Sequence, residues 1–342
     1  MPCYVGLDAS KRTTNICVID ETRTILKEGV VESDPKAIVG FLRGEGRRYA
    51  RVGMESWSLA PWLYAGLARA GLPIICIETR HSSAVLKAAR SNKTDRNDAR
   101  GIAEVMRARI YKTVHIKTVH AQQVRSLLTV RKLLRNQLVA VENAIGGTLL
   151  VFGYKQASGS RATFERRLRK LLSADAFLAG CVESLFSVWK LLVSEIESLE
   201  QRVKALANDD PVCRRLMTAP GVGPIIALTY RSALDEPLRF RRSSDVAAHL
   251  GLTPEAKQSG KRDRKGRISK RGDAAARTAL VLAARTLLRR HTKASWLKQW
   301  AEQICARRGY MKALIATARR LAVILHKMWV TDSDFRWTRE PA

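Results

Sequence analysis

Residues 4–32 read YVGLDASKRTTNICVIDETRTILKEGVVE. Three apolar runs stand in this stretch, YVGLD, NICVID and ILKEGVVE, separated only by polar turns, so the spacing predicts an antiparallel meander of three strands. Working outward, a helix is expected near residues 35–45, a fourth strand at RVGME (51–55), a helix near 60–70 and a fifth strand at PIICIE (73–78). Once the meander gives way to strands joined by helices, crossovers begin. A mixed sheet covered by helices, an α/β unit over residues 1–117, follows.

The chain has 342 residues, 61 Lys and Arg against 31 Asp and Glu, and a formal charge of +30. Its 46% hydrophobic content is that of a chain able to bury real cores, which excludes a disordered basic tail. Self-repulsion at this charge opposes compaction, so the working partner is expected to be a polyanion, nucleic acid rather than a small neutral substrate. No uninterrupted run of ~18 apolar residues and no leader with a cleavage site are read, and a soluble, cytosolic protein without a membrane partner is expected. Cys3, Cys17, Cys76, Cys181, Cys213 and Cys305 form no Cys-x-x-Cys pair and the six histidines show no ligand spacing. Reduced core cysteines are expected, and no zinc site.

From 118 to 208 strand signals vanish. Leu178, Val182, Leu185, Trp189, Leu192, Ile196, Leu199, Val203 and Leu206 recur at spacings of four and three, a heptad seam. An earlier helix with Leu127, Leu134, Leu138, Val141, Ile145 and Leu149 could be its partner, and so could a second subunit. Residues 209–332 are read as a mostly helical third region, and 333–342 as a frayed tail. Within that region Lys257, Lys261, Arg262, Arg264, Lys265, Arg267, Lys270, Arg271 and Arg277 face only Asp263 and Asp273. Such density is a phosphate-binding footprint, or a solvated loop, which Gly260, Gly266 and Gly272 also allow.

In so basic a chain the carboxylates are the informative residues. Asp8 ends the first strand, Glu55 ends RVGME, and Asp95 and Asp98 lie three apart at the start of a helix, on one face. If the strands are neighbours and the helix crosses their ends, four acids converge, and only cations would hold them together. Oxygen-only ligands suit Mg²⁺, and Mg²⁺ beside a polyanion suits phosphodiester chemistry. Taken singly, each acid also fits a strand-end turn or, for Asp95 and Asp98 behind Thr94, an N-capped helix start.

Asp on the first strand, Glu on the fourth and a later Asp-x-x-Asp helix resemble the RuvC-like branch of the ribonuclease H fold. The strings VGLDASK, NKTDxxDA, PGVG, GLTP and the SGK segment narrow this, and from residue 4 to about 320 the chain resembles the DEDD-type insertion-sequence transposases related to the pilin-gene invertase, bridge-RNA-guided recombinases. The resemblance implies that Asp8, Glu55, Asp95 and Asp98 bind the metal. It also implies a nucleophilic serine just beyond GLTP, which is Ser259; spacing alone does not choose between Ser259 and Ser269.

The resemblance further implies donor and target DNA, a structured guide RNA, and dimers that pair in synapsis, one protomer's metal domain meeting another's serine domain. PGVG (220–223) resembles the turn of a helix-hairpin-helix element, whose backbone N–H groups approach phosphate, and an ordinary helix-connecting turn fits the same residues. No GxxxxGK[ST] loop is present, in keeping with a transesterification that conserves phosphodiesters and needs no nucleotide. Two other readings stay open: a junction-resolving nuclease that activates water, with Ser259 incidental, and a non-catalytic basic nucleic-acid-binding protein.

Overall fold

The computed structural model describes residues 1–43, 46–78, 94–155, 160–259, 262–289 and 293–338, with residues 174, 256–259 and 262–265 described by their backbone alone. The chain forms two compact units, Met1–Lys117 and Thr118–Ala342.

In the first unit, β1 (Cys3–Ala9), β2 (Thr13–Ile19) and β3 (Ile25–Glu32) make the expected meander. Helix α1 (Pro35–Arg43) leads to β4 (Tyr49–Glu55), and α2 (Ala60–Arg69) to β5 (Ile74–Ile77). The sheet order is β3-β2-β1-β4-β5, with β1, β4 and β5 parallel, the mixed sheet of the ribonuclease H fold. Because side chains alternate along a strand, β1 and β2 divide their apolar residues between two faces. Val5, Leu7, Ile16 and Val18 pack with Ile38 and Leu42 of α1 and Leu63 and Leu67 of α2. Tyr4, Cys17 and Ile19 pack on the other face with Ile102, Val105 and Met106 of α3 (Asp95–Ala108). Each of those three α3 side chains contributes about 1.5–3 kcal/mol by leaving water. Residues 112–114 cover the β5 edge, with Val114 N–H donating to the Cys76 carbonyl.

The second unit opens with α4 (Val119–Leu150), α5 (Arg161–Ala174) and α6 (Ala176–Asp209). The seam of α6 is buried within this same chain. Val182, Phe186, Trp189 and Ile196 pack with Leu138, Ile145 and Leu149 of α4 and Leu168 of α5. Arg131 pairs with Glu200, and Trp189 Nε1–H donates to Glu142, so α4 and α6 run antiparallel. Helix α6 is the one described helix long and apolar enough to cross a membrane, with a window of mean hydropathy 1.6. Glu183 and Lys190 interrupt it, and its apolar seam faces α4 and α5.

The root of the hairpin joins the carboxy-terminal core. There Val124 and Val203 meet α8 (Pro224–Leu234), α10 (Ala274–Arg289) and α12 (Tyr310–Val330), while α7 (Pro211–Leu216), α9 (Ser243–His249) and α11 (Trp296–Arg308) complete the bundle. Tyr230 is fully buried and its hydroxyl donates to the Ala322 carbonyl.

Two local expectations are corrected. The first part of the basic stretch is an antiparallel hairpin, β6 (Pro254–Ser259) and β7 (Arg262–Ile268), while Lys270 and Arg271 follow outside any strand and Arg277 lies on α10 (Ala274–Arg289). The tail is not frayed from residue 333: Phe335 is buried and stacks on Trp296, its N–H donates to Thr218, and Trp337 packs edge-on against it. Aromatic burial outweighs the loss of chain entropy there. All six cysteines are free, and Cys3, Cys17, Cys76 and Cys213 are buried.

Candidate functional site

Leu7 of β1 lies level with Met54 of β4 in parallel register, which makes Asp8 and Glu55 the next residues on adjacent strands. Both stand at the carboxyl ends of central strands, where the pairing changes from antiparallel to parallel, the usual place for a site on such a sheet. Alternation puts Asp8 on the face of Tyr4 and Gly6, and Glu55 on the face of Gly53. That face carries α3. A Cβ on Gly6 would stand 2.0 Å from the Ala99 carbonyl oxygen and 2.4 Å from Ala103 N, and one on Gly53 would meet Met106 and Ile102. The helix is therefore in near-backbone contact with β1, and because Arg107 near its other end reaches the Glu21 carbonyl just past β2, it runs antiparallel to β1, with its first turn, carrying Asp95 and Asp98, toward the strand end that carries Asp8.

Thr94 caps α3 by accepting from Asn97 N–H, and the two aspartates complement the positive helix end. The capping expected of an ordinary helix start is thus present as well. Asp8, Glu55 and Asp98 are half-buried, Asp95 is exposed, and one Asp98 carboxylate oxygen is fully buried. Among the described residues no three His, Cys, Asp or Glu side chains stand together closely enough to hold a metal ion. The backbone converges on one end of the sheet, but the four carboxylates are not drawn into a ready cage. An all-oxygen donor set of this kind nevertheless suits Mg²⁺, which binds through one or two carboxylates with water and substrate phosphate rather than in an all-protein cage. Burial, with the Glu55 carboxylate adding to it, pushes the neighbouring Cys76 thiol up to about 11 and keeps it protonated and inert.

What fixes α3 was not read from the sequence. Glu28 on β3, opposite Cys17, receives Arg96 through Nε and Nη2 (2.9 and 2.6 Å), and also Arg100. Its side chain is 11% exposed, and the hydrogen bonds from Arg100, then Arg96, hold its carboxyl down to about 2. Arg96 and Arg100 lie four apart on α3, hence on one face. That spacing is the one signal available beforehand; the acid they meet is some 70 residues away, beyond the reach of a local pattern.

Ser259 ends β6, opposite Arg262, with Lys257 opposite Arg264 and Ala256 opposite Lys265. Gly260 and Lys261 lie outside the described residues, as do Asn92 and Lys93 of NKTD. Arg267 and Lys270 are exposed, and Arg271 pairs with Glu255 at 3.3 Å. Ser269 accepts from Arg271 N–H at the strand end. In PGVG, Gly221 has φ +80 and a Cβ there would stand 2.4 Å from the Ala283 carbonyl oxygen, so this glycine serves close packing of the α7–α8 turn on α10. Sequence reasoning also missed the cations of α11 and α12. Arg308, Lys312, Arg319, Arg320 and Lys327 line one groove with Arg267 and Lys270.

Comparison with known proteins agrees with this arrangement. Residues 5–153 match the IS110-type DEDD transposase domain, described as Transposase, and residues 213–301 match the Transposase IS116/IS110/IS902 family. The transposase for insertion sequence element IS1111A of Coxiella burnetii is 31% identical over 347 residues, covering 97% of this chain and 91% of that protein. The transposase for insertion sequence element IS1328 of Yersinia enterocolitica is 28% identical, covering 83% and 84%. The probable family 20 transposase of Pseudomonas aeruginosa is 28% identical, covering 72% and 75%. With a mixed five-stranded sheet of ribonuclease H type and then a mostly helical region, the chain belongs to the IS110/IS116/IS902 family of insertion-sequence transposases, DNA-processing enzymes with a DEDD amino-terminal domain.

Proposed function

We propose that this transposase cuts and rejoins DNA through a covalent link to Ser259, with Asp8, Glu55, Asp95 and Asp98 binding Mg²⁺. What supports the reading is the parallel register that makes Asp8 and Glu55 the next residues on adjacent strands, on the sheet face that α3 covers, with Asp95 and Asp98 in the first turn of that helix. Bound by these carboxylates, with water and DNA phosphate completing its shell, magnesium would stabilise charge on the attacking and leaving oxygens. Attack by Ser259 Oγ on a DNA phosphorus forms one P–O bond and breaks another. The hydroxyl proton leaves to a base, and the departing DNA oxygen gains a proton. A hydroxyl of the receiving strand then reverses the exchange, so phosphodiesters are conserved.

The cations of the basic stretch, Lys257, Lys261, Arg262, Arg264, Lys265, Arg267, Lys270 and Arg271, bind phosphates of donor and target DNA in this reading, supported by the charge of +30. A structured guide RNA supplies sequence choice by pairing. The regions divide as 1–117 metal domain, 118–208 helical arm, 209–332 serine domain and 333–342 tail, acting in the cytoplasm. A homo-oligomer is supported by apolar side chains left exposed on the arm, Leu133 on α4 and Phe177 and Leu191 on α6, at 54%, 74% and 62%.

The test is the covalent adduct. Ser259→Ala should abolish a protein–DNA link that the parent chain forms with Mg²⁺, and Asp95→Asn with Asp98→Asn should abolish turnover while DNA binding persists. Free cleaved ends from Ser259→Ala at the parent rate would favour the water-using nuclease. Strand exchange retained in the double variant would refute the metal role. Sequencing the nucleic acid that co-purifies tests the guide: a discrete structured RNA is expected, and random RNA alone would remove it.

A further inference from the structure

On the second unit a groove of about 1700 Å³ opens between the base of the β6–β7 hairpin and helices α11 and α12. Its floor is apolar, with Leu252, Ile268, Ile315, Val323 and Ile324, and Trp296 and Trp300 stand at one end. Its rim is cationic throughout: Arg267 and Lys270 beside the hairpin, Arg308 on α11, and Lys312, Arg319, Arg320 and Lys327 on α12. Among the described residues no Asp or Glu lines it. The Arg320 guanidinium lies 5.6 Å from the Trp296 ring and 5.4 Å from the Trp300 ring.

We infer that this groove binds an unpaired segment of single-stranded DNA, its phosphates on the cationic rim and its bases on the apolar floor and the two indoles. The inference deepens the nucleic-acid reading above and rests on it. Volume argues for a polymer, since small-molecule sites typically run to ~300–1,000 Å³. Charge argues for a polyanion, because cations on every side without a carboxylate repel one another until phosphate enters. The floor argues for unpaired bases. A duplex turns its phosphates and polar groove edges outward and would leave this surface unused, whereas a splayed strand offers an aromatic face with each base. DNA rather than RNA is the occupant that follows from the family, whose members are transposases of insertion sequences. A strand lying here passes the base of the hairpin whose far end carries Ser259.

The experiment uses the full chain and fluorescein-labelled oligothymidylate about a dozen nucleotides long, oligouridylate of equal length, and a DNA duplex, by anisotropy at fixed salt. Trp300→Ala should weaken oligothymidylate roughly five- to a hundredfold and the duplex less than about twofold, with Trp300→Phe near the parent. Ile315→Glu, which puts a carboxylate on the floor, should weaken oligothymidylate at least as much, and melting curves establish that each variant is folded. The groove assignment is overturned if folded Trp300→Ala and Ile315→Glu bind oligothymidylate as the parent does, or lose duplex and single strand alike. It is overturned in favour of RNA if oligouridylate binds as tightly through Trp300. An acidic amphipathic peptide that binds in a Trp300-dependent way while oligothymidylate does not would make this a protein-docking site instead. Trp300-dependent binding that persists in Ser259→Ala upholds the groove even if the serine chemistry fails. Adduct formation without Trp300-dependent binding upholds the serine and removes the groove.

Discussion

Replacing Gly6 with alanine tests whether the contact between β1 and α3 sets the chemistry. A Cβ at residue 6 would stand 2.0 Å from Ala99 O and 2.4 Å from Ala103 N, both backbone atoms, and real Cβ contacts essentially never fall under 3.0 Å. No rotamer change relieves this, so α3 must retreat by about 1 Å or the strand must bend. Overpacking of this kind costs about 1–3 kcal/mol, and in a unit of this size each ~1 kcal/mol lowers the melting midpoint by about 4 °C. The first turn of α3 moves with the helix and takes Asp95 and Asp98 away from Asp8. A displacement of ~1 Å in a catalytic group costs on the order of 10²-fold in rate. Adduct formation with Mg²⁺ should fall by about that factor in Gly6→Ala, alongside a lowered melting midpoint. Gly53→Ala should be milder, because its Cβ would meet the flexible end of Met106 as well as Ile102. Gly40→Ala, on an exposed position of α1 with nothing within 4 Å, should leave activity alone and add about 0.5–1 kcal/mol of stability. Parent activity and melting in Gly6→Ala would refute the packing argument. A lowered midpoint with full activity would refute only the claim that α3 carries metal ligands.

Glu28→Gln removes the charge that anchors Arg96 and Arg100. Because both arginines are partly exposed, a cost of about 1–2 kcal/mol is expected. The folded carboxyl is held down at about 2 against an ordinary 4.5, so its contribution is complete above pH 4.5 and is lost as pH falls toward 2. The parent should therefore lose stability between those values more steeply than Glu28→Gln, and parallel pH profiles of urea midpoints would refute the anchor. Asp235 is buried and accepts both Thr118 N–H (2.8 Å) and Thr118 Oγ1–H (2.6 Å) at the start of α4. Asp235→Ala should cost about 1–3 kcal/mol in urea unfolding, and Asp235→Asn, which keeps an acceptor, clearly less; equal losses would mean that the carboxylate's hydrogen bonds are not what stabilises this junction.

The sheet was legible because β1, β2, β4 and β5 are apolar runs bounded by polar turns, and the seam of α6 because nine apolar residues hold a heptad spacing. What the seam cannot say is its partner: Leu134, Leu138, Ile145 and Leu149 offer a matching stripe, and only the path of the chain through α5 makes the pairing internal. The β6–β7 hairpin was illegible for a specific reason. RDRKGRI has neither apolar alternation nor a helical stripe, and the hairpin is held by backbone pairing beside a core to which it lends Ile268. Asp8, Glu55, Asp95 and Asp98 could be singled out among 31 acids by their places at two strand ends and a helix start, in the order of the family they resemble. The close approach of α3 to the sheet depends on Gly6 and Gly53, two glycines in strands that read as unremarkable until a helix lies across them.

Net charge by itself says only that a polyanion is near; where the charge is left unbalanced says where it binds. Several carboxylates of this chain are spent on holding elements together: Glu28 on α3, Glu200 on Arg131 across the hairpin arm, Asp273 on Arg125, Asp210 on Arg231. Arginines engaged in this way are structural and lose much of their pull on phosphate. The rim of the groove has no such acids among the described residues, and its cations, from Arg267 to Lys327, are drawn from 60 residues of chain rather than from one dense run. A basic cluster dense in sequence, such as residues 257–271, is easily found and includes an arginine, Arg271, already paired with Glu255. A cluster assembled by folding is missed by any count along the chain, yet the absence of carboxylates there leaves its field for a ligand, and the indoles beside it give that ligand something other than charge to recognise.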